Sequence, residues 1–290
     1  ESGCGKKTLA RIIAAGALCQ SNSDKPCGEC PSCKKAFSLT HPDILFYGSQ
    51  SNRSFHIDTV REIRSAAYVA PNESDKKVII LGDVQNMTIQ AQNALLKIFE
   101  EPPEHVIFIL TCDNITKLLP TITSRAVIYR VQNLPVLVCA DELVKRFGVT
   151  DDEAKMYAKL FDGNLGECIK VFSDEEYRDI IWRCISFVKN TGKNEYAMLS
   201  HTSYFGEKQP QIISSLKILK IVFADLFSAV TGGDNPCCAD LANETDRFSS
   251  LQITEIIDII DVTRDMLLQN VNSSLAMCSM CAEIQSVMMK

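Results

Sequence analysis

The sequence predicts a parallel α/β domain followed by a longer region made of helices alone. Two apolar runs, Val78–Leu81 and Val106–Leu110, lack the alternation of half-exposed strands and are typical of parallel strands buried on both faces. Helical patterns lie between the runs, and such alternation indicates a parallel sheet flanked by helices. After about Leu134 the strand patterns cease, and apolar residues recur at helical spacing.

The elements of the α/β domain follow one another in a regular order. A glycine-rich turn precedes an amphipathic helix that begins near Lys6, and helical patterns follow each of the first two strands. Thr88 can cap the helix before the third strand, and Pro102-Pro103 ends it. The expected strands are Ile44–Tyr47, Val78–Leu81, Val106–Leu110 and a fourth at Ala126–Tyr129.

The helical region divides into two parts. Residues 135–175 predict a small helical unit, with Gly163–Gly166 at a helix junction. Further along, the apolar spacing over residues 212–226 and 253–260 predicts long amphipathic helices. We therefore expect three domains, at residues 1–133, 134–175 and 176–290.

Composition is that of a soluble globular protein and restricts the partners of the chain. The net charge of −6 over 290 residues means that the surface as a whole does not attract nucleic acid. No apolar run is long enough to span a bilayer, so no membrane contact is expected. Nine of the thirteen cysteines lie outside one N-terminal cluster without disulfide-like spacing, which indicates a reducing, cytoplasmic location. Because Glu1 is not Met and lies inside a motif, we expect a fragment that lacks its N-terminus.

Four cysteines near the start, Cys19, Cys27, Cys30 and Cys33, have the spacing of a zinc module. Zinc prefers four soft ligands at tetrahedral corners, and closely spaced cysteines supply them from tight turns. Four protein ligands leave no coordination position for catalysis, which indicates a structural Zn²⁺ site spanning residues 19–33. The alternative is a set of reactive or disulfide-bonded thiols, which fits the reducing context less well.

Residues 2–8 are similar to a phosphate-binding loop, which directs backbone N–H groups and a helix N-terminus at phosphate. Such a loop uses a lysine for the terminal phosphates and the next hydroxyl residue for magnesium. Here Lys7 stands at the magnesium position, and an ammonium group has no lone pair for a cation. A glycine turn without a ligand is the alternative. The degenerate nucleotide-binding set is Gly3, Gly5, Lys6, Thr8 and Asp83.

The strand before Asp83 ends without the second carboxylate of an active ATPase. One carboxylate of the usual pair holds magnesium and the other orients water, but Gly82 stands in one of these positions. Asp83 either caps the turn or keeps part of a nucleotide role. ATP hydrolysis by this chain is expected to be absent or very weak, and ATP binding stays open.

Two further segments carry a family resemblance when they are taken with the cysteine module. The stretch Asn93–Pro103 and the motif Thr123–Ala126 resemble segments of the bacterial clamp-loader subunits of DNA polymerase III. The family motif reads Ser-Arg-Cys, and Ala126 replaces its cysteine here. His41-Pro42-Asp43 and residues 270–275 resemble the delta-prime group more than the gamma/tau group.

The resemblance implies an AAA+ nucleotide-binding domain, a helical lid and a helical collar through which five subunits associate. Such a hetero-pentamer, with gamma/tau and delta subunits, uses ATP to open the sliding clamp and place it on primer–template DNA for a DNA-directed DNA polymerase. A delta-prime-like chain would be its rigid stator. Ser124 and Arg125 would supply an arginine finger to ATP on the neighbouring subunit. Active members differ from this chain at Lys7, Gly82 and Gly166.

Two other functions are alternatives. The first is an active clamp-loader ATPase similar to gamma/tau, which the residues at positions 7, 82 and 166 disfavour. The second is a stand-alone zinc module that binds nucleic acid. The acidic net charge and the lack of aromatic and basic residues interleaved near the cysteines disfavour that function.

Overall fold

The computed structural model describes residues 2–22, 24–48, 55, 57–193, 195–202, 205–206, 208–233 and 236–289. The chain divides into two compact units, Glu1–Gln132 and Asn133–Lys290. The first unit is the predicted α/β part, and the second is helical. Within the described ranges, no helix has both the length and the apolar character needed to cross a bilayer.

The first unit contains a three-stranded parallel sheet. Its strands are β1 (Ile44–Tyr47), β2 (Lys77–Leu81) and β3 (Val106–Leu110), and they lie in the order β1–β2–β3. All five residues of β2 are buried, as expected of a central parallel strand. The three corresponding sequence predictions are confirmed. The helices of this unit are α1 (Lys6–Ala17), α2 (Pro31–Phe37), α3 (Ile57–Tyr68), α4 (Ile89–Glu100) and α5 (Pro120–Thr123).

Different helices cover the two faces of the sheet, because successive side chains of a strand point to opposite sides. Val78 and Ile80 of β2 pack with apolar residues of α1. Ile79 and Leu81 pack with apolar residues of α3 and α4 on the other face. The side chains on one face of β2 therefore pack against α1, the helix that follows the glycine turn.

The predicted fourth strand at Ala126–Tyr129 is wrong. These residues are irregular and pair with none of the three strands found among the described residues. The side chains of Val127, Ile128 and Tyr129 are 79%, 52% and 74% exposed. β-Branched and aromatic residues favour strands where they have a hydrogen-bonded neighbour and a surface to pack against. The local sequence pattern indicated a propensity for strand, but it could not show that a neighbouring strand is lacking there in the described part of the chain.

The second unit consists of helices that share one apolar core, which includes Leu143, Tyr157, Ile181, Leu219 and Ile260. The two predicted long helices are confirmed as α11 and α12. The boundary between a lid at 134–175 and a collar at 176–290 stays a prediction. The helices are α6 (Val136–Phe147), α7 (Asp151–Leu160), α8 (Leu165–Ser173), α9 (Glu175–Asn190), α10 (Glu195–Thr202), α11 (Gln209–Val230), α12 (Ser250–Leu268) and α13 (Ser273–Met288).

Gly163 makes the predicted helix junction between α7 and α8. Its φ is +70°, and a Cβ atom at this position would lie 1.7 Å from the carbonyl oxygen of Leu134. Only a residue without a side chain fits there. The next residue, Asn164, caps α8 by accepting the backbone N–H of Glu167.

Candidate functional site

The glycine turn before α1 has the backbone that its sequence predicts. Gly3 and Gly5 adopt φ values of +90° and +93°, a region that glycine enters without steric cost. Gly5 is the N-cap of α1, and no side chain caps the helix. The first backbone N–H groups of a helix have no partner within the helix, so this end of α1 is suited to an anion.

The two lysines after the turn contact carboxylates that follow β2 and β3. Lys7 Nζ lies 3.0 Å from Oδ2 of Asp83, two residues after β2. Lys6 Nζ lies 2.6 Å from Asp113 Oδ1, three residues after β3. The carboxyl ends of parallel strands meet at one edge of a sheet. Gly3, Gly5, Lys6 and Asp83 therefore belong to one edge, which we call the loop edge together with Lys7 and Asp113.

The loop edge carries its own positive charges. Burial opposes the charge of Lys6, but the hydrogen bond and charge of Asp113 raise its pKa above the usual value. The Lys7 ammonium lies against the carboxylate of Asp83, and it can donate hydrogen bonds but cannot coordinate a metal ion. Thr8, the hydroxyl residue included in the predicted set, is exposed on α1. Sequence reasoning missed Asp113, whose only signal was its place just after a buried strand.

The position of the missing second carboxylate is crowded. A Cβ atom on Gly82 would lie 3.0 Å from the tip of the Phe46 ring. Contacts this short require the neighbour to move, because packed interiors leave little free volume. The backbone after β2 is fixed from the other side by Thr111, whose hydroxyl accepts the N–H of Asp83 at 3.3 Å.

Arg125 lies after α5, where local carboxylate and carbonyl groups orient its guanidinium. Its Nη2 donates to Glu100 Oε1 at 2.9 Å, and its Nη1 donates to the Thr121 carbonyl at 2.9 Å. The Ser124 hydroxyl lies 3.4 Å from Nη1. The side chains of Ser124 and Arg125, which the sequence predicted as a pair, thus contact each other on the surface of the first unit. Glu100, the last residue of α4, was not foreseen as a partner.

The four predicted metal ligands come together in the first unit. The Sγ atoms of Cys19, Cys27, Cys30 and Cys33 all lie within 4.8 Å of one another, and the pairs 19–30 and 27–33 are each separated by 4.0 Å. A tetrahedral zinc site with Zn–S bonds of about 2.3 Å places its sulfurs about 3.8 Å apart. The spacing of the four thiols is therefore close to that of a tetrahedral zinc site.

Backbone N–H groups point at the thiols, as they do in thiolate sites. Cys30 N–H donates to Cys27 Sγ and Cys33 N–H donates to Cys30 Sγ, each at 3.4 Å. The backbone N–H of Cys33 is the main cause that lowers the pKa of the Cys30 thiol to about 6. Burial raises the pKa of the Cys33 thiol to about 12. A bound cation would replace the proton on that buried sulfur, because metal ligation requires the thiolate.

Comparison with known proteins gives matches concentrated in the first unit. A family described as "DNA polymerase III, delta subunit" matches residues 1–135. The chain is similar to DNA polymerase III subunit gamma/tau of Mycobacterium tuberculosis, with 40% identity over 134 residues, 46% of this chain and 23% of that protein. It is also similar to subunit delta' of Haemophilus influenzae, with 32% identity over 45% of this chain and 40% of that protein.

Two further matches extend over both units. Subunit delta' of Bacillus subtilis is 25% identical over 242 residues, 81% of this chain and 72% of that protein. A solved structure, a "DNA polymerase III, gamma subunit-related protein" of Thermotoga maritima, covers 98% of this chain and 99% of its own, with a TM-score of 0.52 and 18% identity. The structural match at that identity concerns the fold alone. The chain spans well under half the length of the relatives that match it at 30% identity or more.

Proposed function

We propose that the chain, whose residues 1–135 match the family of DNA polymerase III subunits described above, is a delta-prime-like stator of a bacterial clamp loader. In this role it does not hydrolyse ATP itself. It forms a hetero-pentamer with gamma/tau and delta subunits in the cytoplasm, and helps to load the sliding clamp onto primer–template DNA. Its contribution to chemistry is an arginine offered to ATP on the adjacent subunit.

The observation that carries the proposal is the contact between Lys7 and Asp83. A motor subunit needs an oxygen ligand from the loop and a carboxylate after the strand to hold magnesium at the phosphates. In this chain an ammonium group stands where the first ligand is required and already neutralises the second. At Gly82, where the other carboxylate of an active ATPase would stand, a Cβ atom would lie 3.0 Å from the tip of the Phe46 ring, so the ring would have to shift slightly.

Arg125 is suited to act on a neighbour because it is exposed and held by local contacts. A guanidinium keeps its charge at every physiological pH and can place two N–H groups on phosphate oxygens. The contacts with Glu100 and Thr121 use its Nη atoms, and they fix the side chain near α5 in the absence of a partner. On assembly, the guanidinium would exchange Glu100 for a phosphate of the neighbouring nucleotide.

The four-cysteine cluster supports a structural Zn²⁺ as the cofactor of this chain. Its four thiols lie within 4.8 Å of one another, and as thiolates they would fill all four positions of a tetrahedral zinc ion and leave none for a substrate. Bound zinc would hold the segment between α1 and β1 in one conformation, because metal binding contributes directly to folding free energy. Nothing in this arrangement assigns the module a role in reading DNA bases.

The reconstituted loader tests the finger. Loaders are assembled in which the ATP site next to this chain is the only active one. Arg125→Ala should slow ATP cleavage there by about 10³-fold, the order of effect known for arginine fingers. Arg130→Ala, which removes another exposed arginine nearby, is the matched control and should leave the rate unchanged. Equal rates for both variants would contradict the assignment of Arg125.

One observation favours the alternative of an active motor similar to gamma/tau. The identity to the Mycobacterium gamma/tau subunit, 40%, exceeds the 32% to the Haemophilus delta' subunit over segments of similar length. The two functions differ in whether the purified chain turns over ATP by itself. A stator has no such activity, whereas a motor subunit retains it in the absence of its partners.

A further inference from the structure

The motif His41-Pro42-Asp43 has no part in the function proposed above, yet the side chains of His41 and Asp43 are among the most deeply buried polar groups of the first unit. His41 is 3% exposed, and Asp43 is fully buried. Buried polar groups must be hydrogen-bonded to offset the loss of water. The partners of these two residues therefore show which parts of the unit the motif joins.

The hydrogen bonds of His41 run toward the cysteine module. The backbone N–H of Asp43 donates to Nδ1 of the ring at 3.1 Å, so a neutral ring carries its proton on Nε2. Nε2 lies 2.8 Å from the hydroxyl of Ser32, to which it donates. Ser32 is 3% exposed, and the Ser74 hydroxyl lies at the longer distance of 3.4 Å from Nε2.

Ser32 lies in the first turn of α2, between two of the candidate ligands. Cys30 is the N-cap of this helix, and its sulfur accepts the N–H of Cys33. The position of Ser32 is therefore fixed together with the positions of both sulfurs. The hydrogen bond from His41 to Ser32 therefore helps to orient this turn. Because the turn carries Cys30 and Cys33, the bond also helps to orient two of the four candidate ligands.

Asp43 joins the other end of the motif to the sheet. Its carboxylate accepts the backbone N–H groups of Asn72, Glu73 and Ser74. Burial opposes the charge, but these donors hold the pKa of Asp43 below its usual range. The carbonyl of Asp43 accepts the N–H of Val78 at the start of β2. The motif is thus held by the loop before β2 and by β2 itself.

We propose that His41 is a positioning residue for the four-cysteine metal site. It holds the α2 turn through Ser32, while Asp43 anchors the motif to the sheet. His41 is not itself a ligand, because Asp43 and Ser32 take up both of its ring nitrogens. The proposal rests on the zinc site of the proposed function. Its consequence is that zinc affinity depends on residues that do not touch the metal.

The experiment measures zinc affinity of the full chain by competition with a chromophoric chelator under reducing conditions. Ser32→Ala and His41→Ala should each lower the affinity about tenfold, the lower end of effects from residues that support ligands without binding metal. His41→Gln should lie closer to the native value, because its amide N–H can reach Ser32. His105→Ala is the matched control, since this half-buried histidine of the same unit bonds to the Ala67 carbonyl instead.

Circular dichroism identifies variants that are unfolded, and Ser32→Ala keeps the test valid if His41→Ala does not fold. Unchanged affinity in folded Ser32→Ala, or an equal loss in His105→Ala, would overturn the positioning role while leaving the zinc site intact. A native chain that binds no zinc would overturn the metal site, and this proposal with it. The zinc affinity of the native chain alone distinguishes a failure of the metal site from a failure of the positioning role.

Discussion

The cysteine cluster and the loop edge, both in the described part of the first unit, each gather side chains that can bind a cation, and they differ in what already contacts those side chains. The cysteine cluster gathers four sulfur atoms with no basic side chain among them, and these could hold a cation taken from solution. The loop edge gathers two carboxylates, and each already contacts a lysine of the same chain. The four thiols are thus open to a cation, whereas the carboxylates of the loop edge are already neutralised by lysines of the same chain.

The two places also differ in how much they can contribute to stability. A zinc ion bound by the cysteine cluster would close a segment of the chain around itself, and structural zinc sites contribute strongly to folding. The Lys7 and Asp83 side chains are 32% and 17% exposed, so solvent screens their attraction. We therefore expect large effects from changes at the cluster and small effects at the loop edge.

Replacing a ligand should give the largest effect. Cys30→Ser exchanges a soft sulfur for a hydroxyl, and we expect zinc affinity to fall by about 100-fold or more, with a lower thermal stability of the first unit. Metal content of the purified protein measures the result. Cys112→Ser, which changes a half-buried cysteine outside the cluster, should keep its zinc. Full zinc content in Cys30→Ser would mean that the cluster is not the metal site.

Two glycines allow the same backbone change to be made at both places. Gly5 in the turn and Gly28 in the cysteine module have φ of +93° and +76°, and neither has an atom within 4 Å of the Cβ position. Alanine in this conformation costs about 1–2 kcal/mol. Gly28→Ala should lower zinc affinity about tenfold, since 1.4 kcal/mol is a factor of ten. Gly5→Ala should destabilise the unit to a similar degree without changing zinc affinity.

The chelator competition described above measures both glycine variants, and thermal unfolding measures their stability. A loss of zinc affinity in Gly5→Ala equal to that in Gly28→Ala would show that the two places are energetically linked. The comparison between them would then no longer hold.

The smallest effect is expected from the ion pair between Lys7 and Asp83. A double-mutant cycle with Lys7→Met and Asp83→Asn should give a coupling energy of about 0.5–1 kcal/mol, which falls as salt is added. Denaturant unfolding of the four proteins measures this coupling. A coupling of several kcal/mol that salt does not reduce would show that the pair is a rigid structural element rather than a screened contact.

The sequence predicted the parts of this unit that local pattern determines. Buried apolar runs identified three strands, cysteine spacing identified the four cysteines that cluster, and glycines identified the turn before α1. It failed at Ala126–Tyr129 because strand formation depends on a neighbour that the local pattern does not contain.

The partners of the functional residues were beyond the reach of sequence alone. Asp113 for Lys6, Glu100 for Arg125 and Ser32 for His41 are brought together only by the fold. Leu219, an apolar position that could have faced another subunit, is fully buried in the second unit. In each case the type of residue could be read from the sequence, but the groups that it contacts depend on tertiary packing.

The most direct test of the account is the ATPase rate of the purified chain without partner subunits, at saturating ATP and magnesium. Because the loop edge offers an ammonium group where magnesium requires an oxygen ligand, we expect no phosphate release above the background of a Lys6→Ala control. Turnover at the rate of gamma/tau-type motor subunits, abolished in that control, would contradict the account. The chain would then be a motor rather than a stator.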